Sequence, residues 1–147
     1  PQKALEKAIN NSRKTAMSLS DKFCVERHRS HFIDLVKNKL DIIFANEDEM
    51  ISLTQSQNFN EVVDYVKQIK KNFIITRGEK GAISINDGKI FEVGIKKNLK
   101  ILDLTGAGDL FAAGFLHGYI NNFTQSECLE KGTELSSKVI QQFGARL

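Results

Sequence analysis

The segment from residue 103 to residue 109, DLTGAGD, combines small residues with carboxylates in a pattern that suits phosphoryl transfer. It follows a short apolar run and opens a predicted helix, so the backbone amides of Gly106, Ala107 and Gly108 can converge on an anion at a helix N-terminus. Converging amides stabilise the charge that develops on a transferred phosphoryl group. Asp109 falls in the first helical turn, where its ionised carboxylate can accept a proton from a hydroxyl group. The segment therefore predicts a phosphate site with its own general base.

Two other phosphate-binding patterns fit this chain less well. A P-loop needs four residues between two glycines, followed by Lys and then Ser or Thr, and no such string occurs. The dinucleotide fingerprint finds two of its glycines in Gly106 and Gly108, but its third position is Phe111, where close helix packing favours Gly or Ala. A glycine-rich turn that only connects a strand to a helix remains the structural alternative.

Three ordered motifs make the chain resemble a known family, the ribokinase-like sugar and nucleoside kinases, also called the PfkB carbohydrate kinases. The C-terminal signature of that family is usually DTTGAGD, and Leu104 is the one departure from it here. Residues 46–49, NEDE, match the NxxE motif of the family, and residues 76–81, TRGEKG, match its TxGxxG segment. The ending, with Gly144 and Ala145, resembles the family's last helix and the loop after it. The resemblance thus covers essentially all 147 residues.

The resemblance implies a fold and a domain organisation. It implies a three-layer α/β/α architecture of the ribokinase-like type with a mostly parallel sheet. Family members are usually about twice as long, and this chain resembles their C-terminal half. We therefore expect residues 1–147 to form the nucleotide-binding and catalytic part of one kinase domain, without the N-terminal half and the lid. The stretch 18–29, SLSDKFCVERHR, looks most like bacterial members called adenosine kinase or sugar kinase.

The resemblance also implies an activity and roles for residues. It implies a kinase that transfers the γ-phosphoryl group of ATP to a hydroxymethyl group of a sugar or nucleoside, with Asp109 as the base and adenosine as the leading acceptor. It implies that Thr76, Gly78 and Gly81 contact the nucleotide, which agrees with the hydroxyl group of Thr76 and with the close backbone approach that glycine permits. Arg77 adds positive charge beside the phosphates.

Two pairs of residues are candidate cation sites. Asn46 and Glu49 lie three apart at a predicted helix start, so the Glu49 carboxylate can order water around Mg²⁺ bound to phosphates, as the NxxE motif of the family does. The same pair fits a helix capping box, and both roles are compatible. The resemblance places a monovalent cation, usually K⁺, at Asp103 and Thr105, and it also counts Thr105 among the nucleotide-binding residues. Asp103 could equally accept backbone amides and stiffen the turn.

Strand and helix signals alternate along the chain. The predicted strands are 15–19, 41–45, 73–76, 81–86, 89–93 and one that ends near Leu102. A tight turn at Asp87 and Gly88 joins the strands 81–86 and 89–93. The predicted helices with bounds are 26–39, 47–53 and 107–120. Another helix, between the second and the third of these, is predicted to be capped by Asn60. A last helix carries Leu129, Leu135, Val139, Ile140 and Phe143 on a common face. Because ligands collect at the carboxyl ends of parallel strands, we expect Asn46, Thr76 and Thr105 to share one edge and one nucleotide.

Composition and charge argue against several other classes of protein. A length of 147 residues with 41% hydrophobic and 27% charged residues is ordinary for one globular domain. No apolar run approaches the roughly 18 residues that a membrane span needs, and no signal sequence is evident, so we expect a cytoplasmic protein. The net charge of +3 is modest and the lysines are scattered, so we do not expect nucleic-acid binding. Cys24 and Cys128 lack zinc or disulfide spacing and are expected to be free, buried thiols.

A second hypothesis comes from the length of the chain. The family's acceptor pocket and lid come largely from the half that this chain lacks, so the chain could be a catalytically incomplete nucleotide-binding fragment that needs that half or a partner chain. The absence of an initiator Met at Pro1 agrees with a processed or truncated chain. The acceptor's identity and the presence of a homodimer are left open, because the family's dimer contacts also tend to come from the lid.

Overall fold

The computed structural model describes residues 2–95, 106–139 and 141. The chain divides into two compact units, one formed by Pro1–Ile75 with Ile85–Ile90 and the other by Thr76–Ser84 with Phe91–Leu147, called unit 1 and unit 2 below. Six residues singled out from the sequence lie outside the described residues: Asp103, Thr105, Ile140, Phe143, Gly144 and Ala145.

Five strands form one mixed sheet that is flanked by helices, in the order β1-β2-β3-β4-β5. The strands are β1 Ala16–Ser18, β2 Ile42–Asn46, β3 Asn72–Thr76, β4 Ala82–Asn86 and β5 Lys89–Val93. Strands β1 and β2 run parallel, with Ser18 opposite Phe44. The first four residues of β2 and of β3 are buried, as expected for strands covered on both faces. The five strands predicted within the described residues are confirmed, and the strand predicted to end near Leu102 lies outside those residues.

The turn between β4 and β5 has the geometry that its sequence predicts. Asp87 has a φ of 51° and Gly88 a φ of 79°, so both central residues lie in the left-handed region that the tightest hairpin turns require. The Asp87 amide donates to the carbonyl oxygen of Lys71 at 3.1 Å. An antiparallel hairpin thus interrupts the alternation of strands and helices, as predicted.

The helices vary in length from one and a half turns to four. They are α1 Gln2–Asn11, α2 Lys22–Arg27, α3 Arg29–Asp34, α4 Glu47–Thr54, α5 Phe59–Lys67, α6 Ala107–Ile120 and α7 Gln125–Val139. A π-helical turn, Leu35–Lys39, follows α3, and a 3₁₀ turn, Gly78–Lys80, lies between β3 and β4. The predicted bounds of α6 are confirmed. Within the described ranges, no helix has the length and apolar character that crossing a membrane requires.

Two predicted helices are wrong in detail. The segment 26–39 is not one helix. Helix α2 begins earlier, at Lys22, because the Asp21 side chain accepts the Phe23 amide at 2.9 Å. The helix then breaks at His28, which has φ −122° and ψ 32°. The cap of α5 is Asn58 and not Asn60, since Asn58 has extended backbone angles and accepts the Glu61 amide at 3.1 Å. In both cases the prediction relied on apolar spacing, which does not mark where the first amide is capped.

Each unit has its own buried apolar residues. In unit 1 they come from β2, β3, α4 and α5, and include Ile43, Phe73, Met50, Leu53 and Val66. In unit 2, helices α6 and α7 pack closely, because Gly132 lies against Phe111 and Gly114 lies against Lys131 and Gly132. The buried residues of this pair include Phe111, Phe115, Cys128, Leu129 and Val139. Cys24 is exposed, so the expectation of buried thiols is right for Cys128 and wrong for Cys24.

Candidate active site

Residues 106–109, the described part of the DLTGAGD segment, form the start of α6. Gly106 precedes the helix with a φ of 74°, a left-handed conformation that favours glycine, and its carbonyl oxygen accepts the Leu110 amide at 3.0 Å. Gly106 has no side chain that could cap the helix. The first amides of a helix have no partner within the helix, and no side chain of the described residues caps α6. The amides of Ala107 and Gly108 are therefore the ones that would bind an anion at this end.

Asp109 lies in the first turn of α6, and its side chain is exposed. Gly108, beside it, is also exposed, and a Cβ atom added there would meet nothing within 4 Å. Gly108 and Asp109 are thus both exposed at this end of α6.

Residues 76–81 form one compact turn in unit 2. Thr76 is the last residue of β3 and is half-buried. The Arg77 amide donates to the carbonyl oxygen of Gly81 at 2.8 Å, and the Gly81 amide donates to that of Gly78 at 3.1 Å. The turn is thus closed by its own backbone, and Gly78, with a φ of 56°, lies at its exposed tip.

The two glycines of this turn have different surroundings. A Cβ atom at Gly78 would meet nothing within 4 Å, whereas one at Gly81 would overlap the carbonyl oxygen of Val93 at the end of β5. Gly81 is therefore required by packing between two backbone segments. Only Gly78 has open space in which a ligand could approach the backbone.

Asn46 and Glu49 are joined by three hydrogen bonds in unit 1. The Asn46 Oδ1 accepts the Glu49 amide at 2.8 Å, the Glu49 Oε2 accepts the Asn46 amide at 2.9 Å, and the Asn46 Nδ2 donates to the Glu49 Oε1 at 3.1 Å. This is a complete capping box at the start of α4, so the capping alternative considered from the sequence is confirmed.

The environment of Glu49 disfavours its charged form. The side chain is buried, with a residue exposure of 6%, and this burial raises the pKa of its carboxyl group above the ordinary value. The Asn46 amide opposes the shift by stabilising the carboxylate, while the negative charges of Asp21 and Asp48 add to it. Asp21 was not singled out from the sequence, although an Asp before an apolar run is the usual signal of a helix cap.

The predicted site residues fall into three groups in the structure. Unit 1 brings together Asn46 and Glu49, and unit 2 brings Thr76, Arg77, Gly78 and Gly81 into one turn and Gly106, Ala107, Gly108 and Asp109 to one helix end. The sharing of one nucleotide by these groups stays a prediction. Over the described part of the chain, no group of three or more His, Cys, Asp or Glu side chains could hold a metal ion by itself.

The mixed five-stranded sheet flanked by helices matches solved structures of the ribokinase-like fold, so the chain is an α/β protein of that fold. The chain belongs to the pfkB family carbohydrate kinases, since the family model matches residues 2–147. It is similar to the cytidine kinase of Thermococcus kodakarensis, with 34% identity over 74% of this chain and 40% of that protein.

Two solved structures are similar over nearly the whole chain. One is the adenosine kinase from Sinorhizobium meliloti, with a TM-score of 0.91, 36% identity and coverage of 99% of this chain and 45% of that one. The other is a probable sugar kinase from Rhizobium etli, with a TM-score of 0.90, 36% identity and coverage of 98% of this chain and 44% of that one. The chain therefore spans less than half the length of these relatives.

Proposed function

We propose that the protein to which this chain belongs is an ATP-dependent kinase that phosphorylates a hydroxymethyl group of a nucleoside or sugar. The observation that carries the proposal is the start of α6, where a left-handed Gly106 opens a helix whose first turn carries the exposed Gly108 and Asp109. Family membership over residues 2–147 supports the same chemistry.

In the proposed mechanism Asp109 is the general base. As the acceptor oxygen forms a bond with the γ-phosphorus, its hydroxyl proton passes to the Asp109 carboxylate, and the bond from the γ-phosphorus to the bridging oxygen breaks, so that ADP leaves with that oxygen. The amides of Ala107 and Gly108 donate to the phosphoryl oxygens and stabilise the charge that develops on them. Asp109 thus both removes a proton and lies beside the anion that results.

The turn 76–81 and the Asn46–Glu49 pair are proposed to bind the nucleotide. The exposed tip at Gly78 allows the backbone to approach the phosphates closely, and Arg77 adds positive charge there. The Glu49 carboxylate is buried and already accepts two hydrogen bonds. It therefore suits binding of Mg²⁺ through a water molecule better than direct coordination of the ion. Bound Mg²⁺ would neutralise phosphate charge.

The acceptor is proposed to be a nucleoside, with adenosine first. Similarity to a cytidine kinase and to an adenosine kinase favours this class, while similarity to a probable sugar kinase supports ribose-like acceptors as the alternative. A second candidate is that the chain is a nucleotide-binding fragment that depends on a further segment or partner chain. This candidate is favoured because the chain covers only 45% of the adenosine kinase. The cytoplasmic location, the K⁺ site at Asp103 and Thr105 and the absence of nucleic-acid binding stay predictions.

The test is Mg·ATP-dependent phosphorylation of adenosine, cytidine, ribose and fructose by the full natural reading frame that contains this chain. Asp109→Asn keeps the shape of the side chain but removes proton acceptance, so kcat should fall by about 100- to 10,000-fold while ATP binding is retained. The matched control is Glu127→Gln, which neutralises an acidic residue in the first turn of α7 and should leave kcat unchanged.

Two results would contradict the proposal. Equal kcat for Asp109→Asn and the wild type would show that Asp109 is not the general base. ATP binding without phosphorylation of any acceptor by the full reading frame would favour the nucleotide-binding fragment.

A further inference from the structure

A cleft in unit 1, at the start of strands β2 and β3, is lined mainly by polar and basic residues. Its volume is about 440 Å³, which lies in the range of sites that bind small molecules. Three of the lining residues are lysines and none is acidic; the lining consists of Lys37, Tyr65, Gln68, Ile69, Lys70 and Lys71. The fold thus brings together lysines that the sequence separates.

The cleft lies at the sheet edge opposite the candidate nucleotide-binding residue Asn46. Lys37 belongs to the π-helical turn that precedes β2, and Lys70 and Lys71 lie directly before β3. Asn46, by contrast, is the last residue of β2. A ligand in the cleft and a ligand at Asn46 would therefore lie at opposite ends of β2.

The backbone on one side of the cleft is held by hydrogen bonds. The Lys71 amide donates to the carbonyl oxygen of Ile69 at 2.8 Å, and the Ile69 amide donates to that of Val66 at 2.9 Å. The carbonyl oxygen of Lys71 accepts the Asp87 amide at 3.1 Å. A cleft whose backbone is already fixed pays less conformational entropy when a ligand binds.

The lysines of the cleft lack close acidic partners. Among the described residues, none of the ion pairs includes Lys37, Lys70 or Lys71. The Lys37 Nζ lies 5.5 Å from the centroid of the Tyr65 ring, and this cation–π contact leaves its charge in place. The positive charges of the cleft are therefore not neutralised by direct pairing.

Asp41, the acidic residue directly before β2, balances little of this charge. Its Oδ2 accepts the amide of Thr15 at 2.9 Å and the hydroxyl of Thr15 at 3.1 Å. The Thr15 amide is the main cause that lowers the pKa of Asp41, and the charge of Lys71 contributes less. The Asp41 carboxylate is thus bound to Thr15, and positive charge dominates in the cleft.

We propose that this cleft binds a small phosphorylated compound that carries at least two linked phosphate groups. A lysine ammonium group binds phosphate as a point charge, and several of them together favour an anion with several negative charges. The inference goes beyond the proposed kinase function and does not depend on it. The bound anion joins the turn before β2 to the loop before β3, so it stabilises the folded protein.

The experiment is calorimetric titration of inorganic pyrophosphate, without Mg²⁺, into variants of the full reading frame. All carry Gly108→Asp, which adds a negative charge to the proposed phosphate site at α6, so that the cleft is the site measured. Adding Lys37→Gln with Lys70→Gln should raise the Kd for pyrophosphate about tenfold or more. Lys67→Gln is the control, because Lys67 is an exposed lysine of α5 that does not line the cleft, and it should leave Kd unchanged.

Thermal unfolding gives a second readout and checks that the variants fold. Pyrophosphate should raise Tm when the three lysines are present and should not raise it in the double lysine variant. Lys70→Gln alone keeps Lys37 over the Tyr65 ring and should give an intermediate Kd, which decides the matter if the double variant is unstable without ligand. With Gly108 restored, the double lysine variant should keep the kcat of the wild type.

Four results would overturn the inference. The first is a protein with Gly108→Asp that does not bind pyrophosphate, and the second is a Kd that the lysine substitutions do not change. The third is an equal loss in Lys67→Gln, which would mean that only the overall charge matters. The fourth is a single-stranded oligonucleotide that binds more tightly than pyrophosphate through the same lysines, which would make the cleft part of a nucleic-acid site.

Discussion

The N-termini of α4 and α6 differ in how their first backbone amides are capped. At α4 the Asn46 and Glu49 side chains satisfy the first amides and each other, and Glu49 is buried. At α6 a left-handed glycine takes the cap position, and Gly108 and Asp109 are exposed. The first arrangement is stable without a ligand, whereas the second leaves donors that an anion can use. Mutations at α4 should therefore affect stability, and mutations at α6 should affect binding and catalysis.

The largest expected effect at α6 apart from that of Asp109→Asn comes from Gly108→Asp. The new Cβ atom has open space, and a carboxylate in the first turn suits the helix dipole, so Tm should not fall. A negative charge beside the bound phosphates should weaken ATP binding about 100-fold, because placing like charges together costs several kcal/mol. Titration of ATP into each variant measures this.

Gly108→Ala is the matched control for that charge. It adds the same Cβ atom without the carboxylate, and it should bind ATP nearly as the wild type does. If Gly108→Ala and Gly108→Asp weakened ATP binding equally, bulk and not charge would be the cause, and the anion site at α6 would be in doubt.

Asn46→Ala should have the next largest effect, on stability. It removes the acceptor for the Glu49 amide and one donor to the buried Glu49 carboxylate. Loss of a helix cap typically costs about 1 kcal/mol, and leaving a buried polar group without its hydrogen bond adds about 1–3 kcal/mol. Urea denaturation should therefore show a loss of about 2–4 kcal/mol in the free energy of unfolding.

Asn58→Ala provides the comparison for that loss. Asn58 caps α5 through a single bond to the Glu61 amide and is exposed, so its removal should cost only about 1 kcal/mol. Equal losses for the two variants would mean that the bonds to Glu49 contribute nothing beyond an ordinary cap.

Glu49→Gln should have the smallest effect on stability, which is a change in its pH dependence. The pKa of Glu49 is raised in the folded protein, so its contribution to stability is fully present below the unfolded pKa, near 4.5, and is lost as pH rises through the folded pKa. Glutamine does not titrate, so the variant should lack this loss. Urea denaturation from pH 4 to pH 8 measures the difference, and parallel curves for the two proteins would contradict the raised pKa.

Local sequence signals predicted those parts of the fold that local chemistry controls. Asp87 and Gly88 predicted the hairpin because left-handed φ angles at both positions suit these residues, and small residues followed by an apolar stretch predicted the bounds of α6. The capping box at Asn46 was also a local pattern. The break at His28 was not predicted, since apolar spacing continues through it. The cap at Asn58 was missed because a second asparagine, Asn60, lies two residues further on.

The sequence by itself determined the order of strands and helices, the motifs and the chemical types of the candidate groups, because these depend on residues close together in the chain. Only the tertiary structure decided that Glu49 is buried with a raised pKa and that Phe23 is exposed. It also decided that the backbone of Val93 leaves no room for a side chain at Gly81, whereas Gly78 has space around it. Burial and close approach depend on segments that are distant in sequence, so no local pattern reports them.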